Sequence, residues 1–148
     1  MGRIMAIDFG RKRCGVSVTD PLRIVATGIG TVATGKLVEF VTDYMKREPL
    51  DAIVAGYPTD MHGQQSESMR FISPVLARLK KILPSDFPVI MFDERFTSVL
   101  AHRGMIDSGM KKMQRRDKEA VDTMAATIIL NDYLQSMVYA MNMPPKRL

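Results

Sequence analysis

The chain has 148 residues, 46% hydrophobic and 25% charged, with 21 Lys and Arg against 16 Asp and Glu, a formal charge of +5. That length suits one domain and leaves no room for two large lobes closing on a cofactor. A single cysteine excludes an internal disulfide framework, and no apolar run approaches the roughly 18 residues of a membrane span.

The expectation is therefore a soluble cytoplasmic protein with no membrane partner, with Cys14 a small buried strand residue. Two clusters hold most of the basic excess: Arg11, Lys12 and Arg13, then Lys111, Lys112, Arg115, Arg116 and Lys118. Basic clusters are commonly solvated surface, and they point to nucleic acid only where other chemistry lies beside them.

Arg3 to Phe9 is an apolar run of buried-strand length. Gly10 and the basic triplet make a turn, and Arg13 to Asp20 follows as a β-branched strand. Asp20-Pro21 is a turn signal, and Ile24 to Ala33 supplies a third strand despite Gly28 and Gly30. Gly35 to Arg47 has helical spacing and ends before Pro49. Leu50 to Ala55 is a short apolar strand closed by Gly56-Tyr57-Pro58. Met69 to Leu83 is helical, with Pro74 near its first turn or at a kink, and Phe87 to Phe92 is the last strand.

Thr97 caps a helix to about Asp107, and Gly109 suits its C-terminal side. Met110 to Arg116 is a basic loop. Asp117 caps a closing helix to about Met137. The expected organisation is one domain over 1–138 with a tail over 139–148. The order β-β-β-α-β-α-β-α-α joins an antiparallel meander to right-handed β-α-β crossovers. It predicts an α/β protein with a five-stranded mixed sheet covered by helices, the element order of the RNase H-like fold.

The acidic residues carry the chemistry. Asp8 follows Ile4, Met5, Ala6 and Ile7, so its strand is core while its carboxylate lies at the strand's carboxyl end. Burying an unpaired carboxylate costs several kcal/mol, about what a cation there would remove. Pairing with a turn amide or with Arg13 is the alternative explanation. Gly10 lets the backbone turn and a phosphate approach.

Asp122 shares a helix face with Ala125, Ala126, Ile129 and Tyr133, near the helix N-terminus, where the macrodipole favours an anion. A buried salt bridge is the alternative explanation. Asp93 and Glu94 end the last strand. Strand neighbours point to opposite faces, so only one of them joins Asp8 comfortably. Glu94 is favoured because its extra methylene reaches further, but the alternation alone leaves Asp93 open.

Three carboxylates at the sheet's carboxyl edge select a hard cation, Mg²⁺ or Mn²⁺, rather than zinc. His62 and His102 are too far apart in sequence to compete and read as loop and helix-surface residues. Carboxylate-held ions flanked by Arg and Lys suit phosphodiester hydrolysis. Arg11, Arg13, Arg95, Lys111 and Arg115 are the candidates for phosphate contact.

These motifs resemble the YqgF (RuvX) family of RNase H-like nucleases. Asp8-Phe9-Gly10-Arg11-Lys12-Arg13-Cys14-Gly15, with Ser17 and Asp20 beyond, resembles its opening. Gly56-Tyr57-Pro58 with Gly63, and Asp93-Glu94-Arg95-Phe96-Thr97-Ser98, resemble its second and third motifs. Val121-Asp122-Thr123-Met124-Ala125-Ala126, with Ile129-Leu130 and Tyr133-Leu134, resembles its closing helix. The likeness covers about residues 3–135.

It implies metal ligands Asp8, Glu94 and Asp122 and an endonuclease in 5′-end maturation of pre-16S rRNA. Tyr57 stands where the family often has Leu, and Asn131 where Gln is common. RuvC resolvases close the fourth strand with an acidic residue where Gly56-Tyr57-Pro58 stands here. Junction cleavage of DNA and non-catalytic RNA binding in ribosome assembly are the alternatives. The expected partner is structured precursor rRNA, or branched DNA, met by a monomer or weak homodimer. An actin-like phosphotransferase is excluded by length.

Overall fold

A computed structural model describes residues 2–57, 69–93 and 118–142. Five strands form one sheet: β1 (Arg3–Asp8), β2 (Arg13–Thr19), β3 (Ala26–Ala33), β4 (Leu50–Tyr57) and β5 (Val89–Asp93). Their order across the sheet is β3-β2-β1-β4-β5. β1, β2 and β3 pair antiparallel in a meander, while β4 and β5 lie parallel to β1. Helices α1 (Leu37–Arg47), α2 (Met69–Ile82) and α3 (Lys118–Asn142) complete the described chain, with a 3₁₀ turn at Thr34–Lys36 leading into α1.

Period-2 alternation divides the strands between two cores. Met5, Ile7, Val16, Ile53 and Ala55 face one side and bury Leu37 and Val41 of α1 with Ile72 and Leu79 of α2. Ile4, Ala6, Ala52 and Val54 face the other and bury Ile129 and Leu130 of α3. Each large aliphatic side chain so enclosed contributes roughly 1.5–3 kcal/mol. The central strand β1 is therefore apolar on both faces, which is why it reads as an unbroken run.

The mixed five-stranded sheet is the one expected from the element order. Besides shifts of one or two residues at other element ends, three features differ from the expectation. β4 runs two residues past Ala55, because Gly56 and Tyr57 remain in register with Phe92 and Asp93. Pro74 is the sixth residue of α2 and exposed, so the helix carries it within its length and forgoes the bond to the Arg70 carbonyl. α3 continues to Asn142, past the position where a tail was expected. The helix expected from Thr97 to Asp107, the basic loop 110–116, and both histidines lie outside the described residues. Among the described residues, no helix is long and apolar enough to cross a membrane.

Candidate active site

Asp8 is the last residue of the central strand, and its parity is that of Ile4 and Ala6, so it belongs to the α3 side. It is half-buried. Its partner on β2 is Gly15 and its partner on β4 is Gly56. Partners in register project to the same face, so the positions level with the carboxylate on both neighbouring strands are glycines. Gly56 is in turn level with Phe92 of β5, which packs into the α3-side core. One lateral row thus runs Gly15, Asp8, Gly56, Phe92.

α3 crosses β2, β3 and β1 on this face. Two close approaches seat it. The Ser17 hydroxyl, fully buried on β2, donates to the Ala126 carbonyl at 2.8 Å. On β3, a Cβ at Gly28 would stand 2.5 Å from the Thr123 Cγ2 and 3.1 Å from the Thr127 Oγ1, so only glycine admits the helix at this distance. Ala125 and Ala126 are buried beneath it. Asp122 is the fifth residue of α3, one turn before these alanines.

The basic turn after β1 is clamped from behind. The Thr34 hydroxyl, at the end of β3, donates to the Gly10 carbonyl at 2.7 Å, and its backbone N–H donates to the Lys12 carbonyl at 3.0 Å. A Cβ at Gly10 would collide with the Arg13 carbonyl, which requires glycine in this turn. Cys14 is buried as expected, with its sulfur 3.5 Å from the Thr34 hydroxyl. Arg11 and Lys12 are exposed and Arg13, the first residue of β2, is half-buried.

The residues expected in the site therefore divide. Asp8, Arg11 and Arg13 lie together at the carboxyl edge of the sheet, and Asp122 lies on the helix covering the same face. Glu94, Arg95, Lys111 and Arg115 lie outside the described residues. Asp93 closes β5 opposite Tyr57, at the parity opposite to Phe92.

Asp20 has a different station. It sits at the far end of β2, where its carboxylate accepts from the amides of Ile24 at 2.7 Å and Val25 at 2.9 Å and is held below the usual carboxylate range by them, the Val25 amide foremost. It ties a turn and is remote from Asp8.

Among the described residues, no three His, Cys, Asp or Glu converge as metal ligands. The chemistry on the Asp8 face nonetheless fits a hard cation: an oxygen donor with glycines level on both sides, and a basic turn after it. The sequence gives no sign of Thr34, marks Ser17 only as part of the family motif, and shows Gly28 only as a glycine within a strand. A glycine so placed marks a close backbone approach.

A family model described as "RuvX: Holliday junction resolvase" matches residues 2–136. The chain belongs to the RuvX family. A Phocaeicola vulgatus protein named "Putative pre-16S rRNA nuclease" is 51% identical over 139 residues, covering 94% of this chain and 99% of that protein. A Bacteroides fragilis protein of the same name is 50% identical over 136 residues, covering 92% and 98%. Among solved structures, T. thermophilus RuvC in complex with a Holliday junction substrate superposes with a TM-score of 0.55 at 16% identity, covering 93% of this chain and 96% of that one. That likeness shows the fold, which is RNase H-like. Membership of the RuvX family makes the protein a nuclease.

Proposed function

We propose that the protein is a divalent-metal-dependent endonuclease that cuts structured precursor rRNA in 5′-end maturation of 16S rRNA, acting in the cytoplasm. The observation that carries this reading is Asp8, a carboxylate at the carboxyl end of the central strand with glycine on both sides and a clamped basic turn after it. The RNA substrate is the one named for the RuvX relatives.

Asp8 and Asp122 would hold the metal, Mg²⁺ or Mn²⁺, and Glu94 would complete the set. Glu94 is preferred to Asp93 for its extra methylene, which reaches further across the sheet edge. When bound, the ion lowers the pKa of water and steadies the leaving oxygen of an in-line displacement. Glu94 would orient the attacking water by accepting its hydrogen bond. Water oxygen would bond to phosphorus as the bond to the leaving oxygen breaks, the water giving up a proton to solvent and the leaving oxygen taking one from solvent. Arg11, Arg13, Arg95, Lys111 and Arg115 would hold the flanking phosphates.

Purified protein with Mg²⁺ or Mn²⁺ should cut a precursor rRNA fragment, and Asp8→Asn should reduce the rate by at least roughly a hundredfold. Equal cutting by Asp8→Asn would sink the reading. Retained binding and growth complementation by a chain lacking both Asp8 and Asp122 carboxylates would leave a non-catalytic assembly factor instead. The description of the RuvX family model favours one second reading, a DNA junction resolvase. Paired nicks need two sites, so it predicts a dimer that cleaves four-way junctions in preference to the RNA.

A further inference from the structure

The two helices on the face away from α3 carry charge in different ways. On α1, Lys46 lies 4.0 Å from Asp43 and the Arg47 guanidinium sits 5.8 Å above the Tyr44 ring, so each cation has a partner on its own helix. α2 carries Arg70, Arg78, Lys80 and Lys81 and no acidic residue. All four are exposed, and among the described residues none forms an ion pair. Four unneutralised cations on one helix repel one another, and tertiary contacts do not require them there.

Their spacing is directional. Ile72, Val75, Leu76, Leu79 and Leu83 bury the inward stripe. Arg70, Arg78 and Lys81, at i, i+8 and i+11, fall on the opposite, outward stripe and span about 16 Å along the axis. Lys80 flanks them on the rim of a cleft of about 270 Å³ lined also by Leu83, Pro84, Ser85, Phe87 and Val89. Because residues 83–88 lead from α2 into the amino end of β5, the helix runs antiparallel to β4 and β5. Its Arg70 end thus lies toward the carboxyl edge, where Asp8 is, and its Lys80–Lys81 end toward the far edge.

We propose that the outer face of α2 is a second nucleic-acid surface that holds the phosphate backbone of the substrate beyond the cutting edge. It rests on the nuclease reading above and extends it to the size of the substrate, which must be long enough to run from the carboxyl edge along α2. A duplex presents one negative charge per about 1.7 Å of axis, so a 16 Å stripe meets several phosphates. An acidic protein could meet the same cations, but the start of the stripe at the candidate catalytic edge favours the molecule being cut.

The test compares wild type with the variant Arg70→Gln/Arg78→Gln/Lys80→Gln/Lys81→Gln, whose fold is checked by thermal melting. A Lys46→Gln/Arg47→Gln variant on α1 is the control. Binding without metal and cleavage with Mg²⁺ are measured on a long hairpin RNA and on a single strand of about 8 nucleotides, within the site size of one small nucleic-acid-binding fold. On the hairpin, the α2 variant should bind roughly tenfold or more weakly, with a salt slope shallower by about three, and raise KM with kcat unchanged. The short strand and the α1 variant should behave as wild type.

Wild-type affinity and slope for the α2 variant on the hairpin would overturn the proposal and leave α2 to an acidic protein. Equal weakening on both RNAs, or by the α1 control, would overturn it as well. If wild type cut neither RNA, the nuclease reading would fail while the binding arms still judged α2.

Discussion

At the scale of single residues, Thr34 links the sheet to the basic turn after β1. Its hydroxyl and its amide reach two carbonyls of that turn, at Gly10 and Lys12, which fixes where Arg11 and Arg13 stand relative to Asp8. Thr34→Val keeps the shape and removes the hydroxyl. A buried hydrogen bond of this kind contributes about 1 kcal/mol, and the Gly10 carbonyl would be left without its donor. The expected outcome is a KM for RNA raised several-fold with kcat within about twofold, and recovery in Thr34→Ser. A mutant with unchanged KM would show that the turn holds its place without the clamp. Nothing in the sequence pointed to Thr34: it sits 24 residues from Gly10, and only the pairing of β2 with β3 brings them together. Asp8 was legible because a carboxylate ending an apolar strand is an exception to burial rules, and exceptions show in a sequence.

At the scale of elements, α3 decides whether Asp122 stands over the Asp8 face. Its existence was legible from the apolar face and the paired alanines. Its seating was not, because the Ser17–Ala126 bond spans 109 residues and Gly28 looked only like a weak point in a strand. Both features hold the helix close to the sheet, and they predict a graded loss. Ser17→Ala removes one buried hydrogen bond and should cost about 1 kcal/mol. Gly28→Val forces side-chain atoms into Thr123 and should cost about 1–3 kcal/mol as overpacking. Because the helix is lifted as well as strained, Gly28→Val should lower kcat more than its loss of stability explains at temperatures where it remains folded. Denaturant midpoints paired with single-turnover rates check this. A Gly28→Val protein with reduced stability but wild-type chemistry would mean that Asp122 tolerates the shift. The β4 boundary teaches a similar lesson, since Gly56 and Tyr57 look like turn residues but are held in register by β5.

At the scale of the whole molecule, the two edges of the sheet do different work. The carboxyl edge gathers Asp8 and the basic turn. The amino edge gathers ties between distant parts of the chain. The Asp51 carboxylate at the start of β4 accepts from the Gly2 amide at 2.9 Å and pairs with Arg23, whose backbone is held at φ 59 in the β2–β3 turn. Nearby, Arg3 lies 3.5 Å from Glu48 and donates to the Thr19 carbonyl at 3.1 Å. The Gly2 amide foremost, then Arg23, holds the Asp51 carboxyl below its ordinary range. A carboxyl depressed on folding contributes stability that is present above its unfolded pKa, about 4, and is lost as pH falls through the lower folded value. Asp20 acts in the same direction. Asp132 on α3 acts in the other, because burial raises its carboxyl and its charge at neutral pH opposes folding. Asp51→Asn should therefore lower the melting temperature at pH 7 by a few degrees, with the gap to wild type closing below pH 4. Since the substitution lies at the edge away from Asp8, kcat on a short RNA should stay at the wild-type value. Melting curves across pH and initial rates at 25 °C read the two effects separately. A loss of kcat with unchanged melting would place chemistry at the amino edge and reverse this division of the molecule.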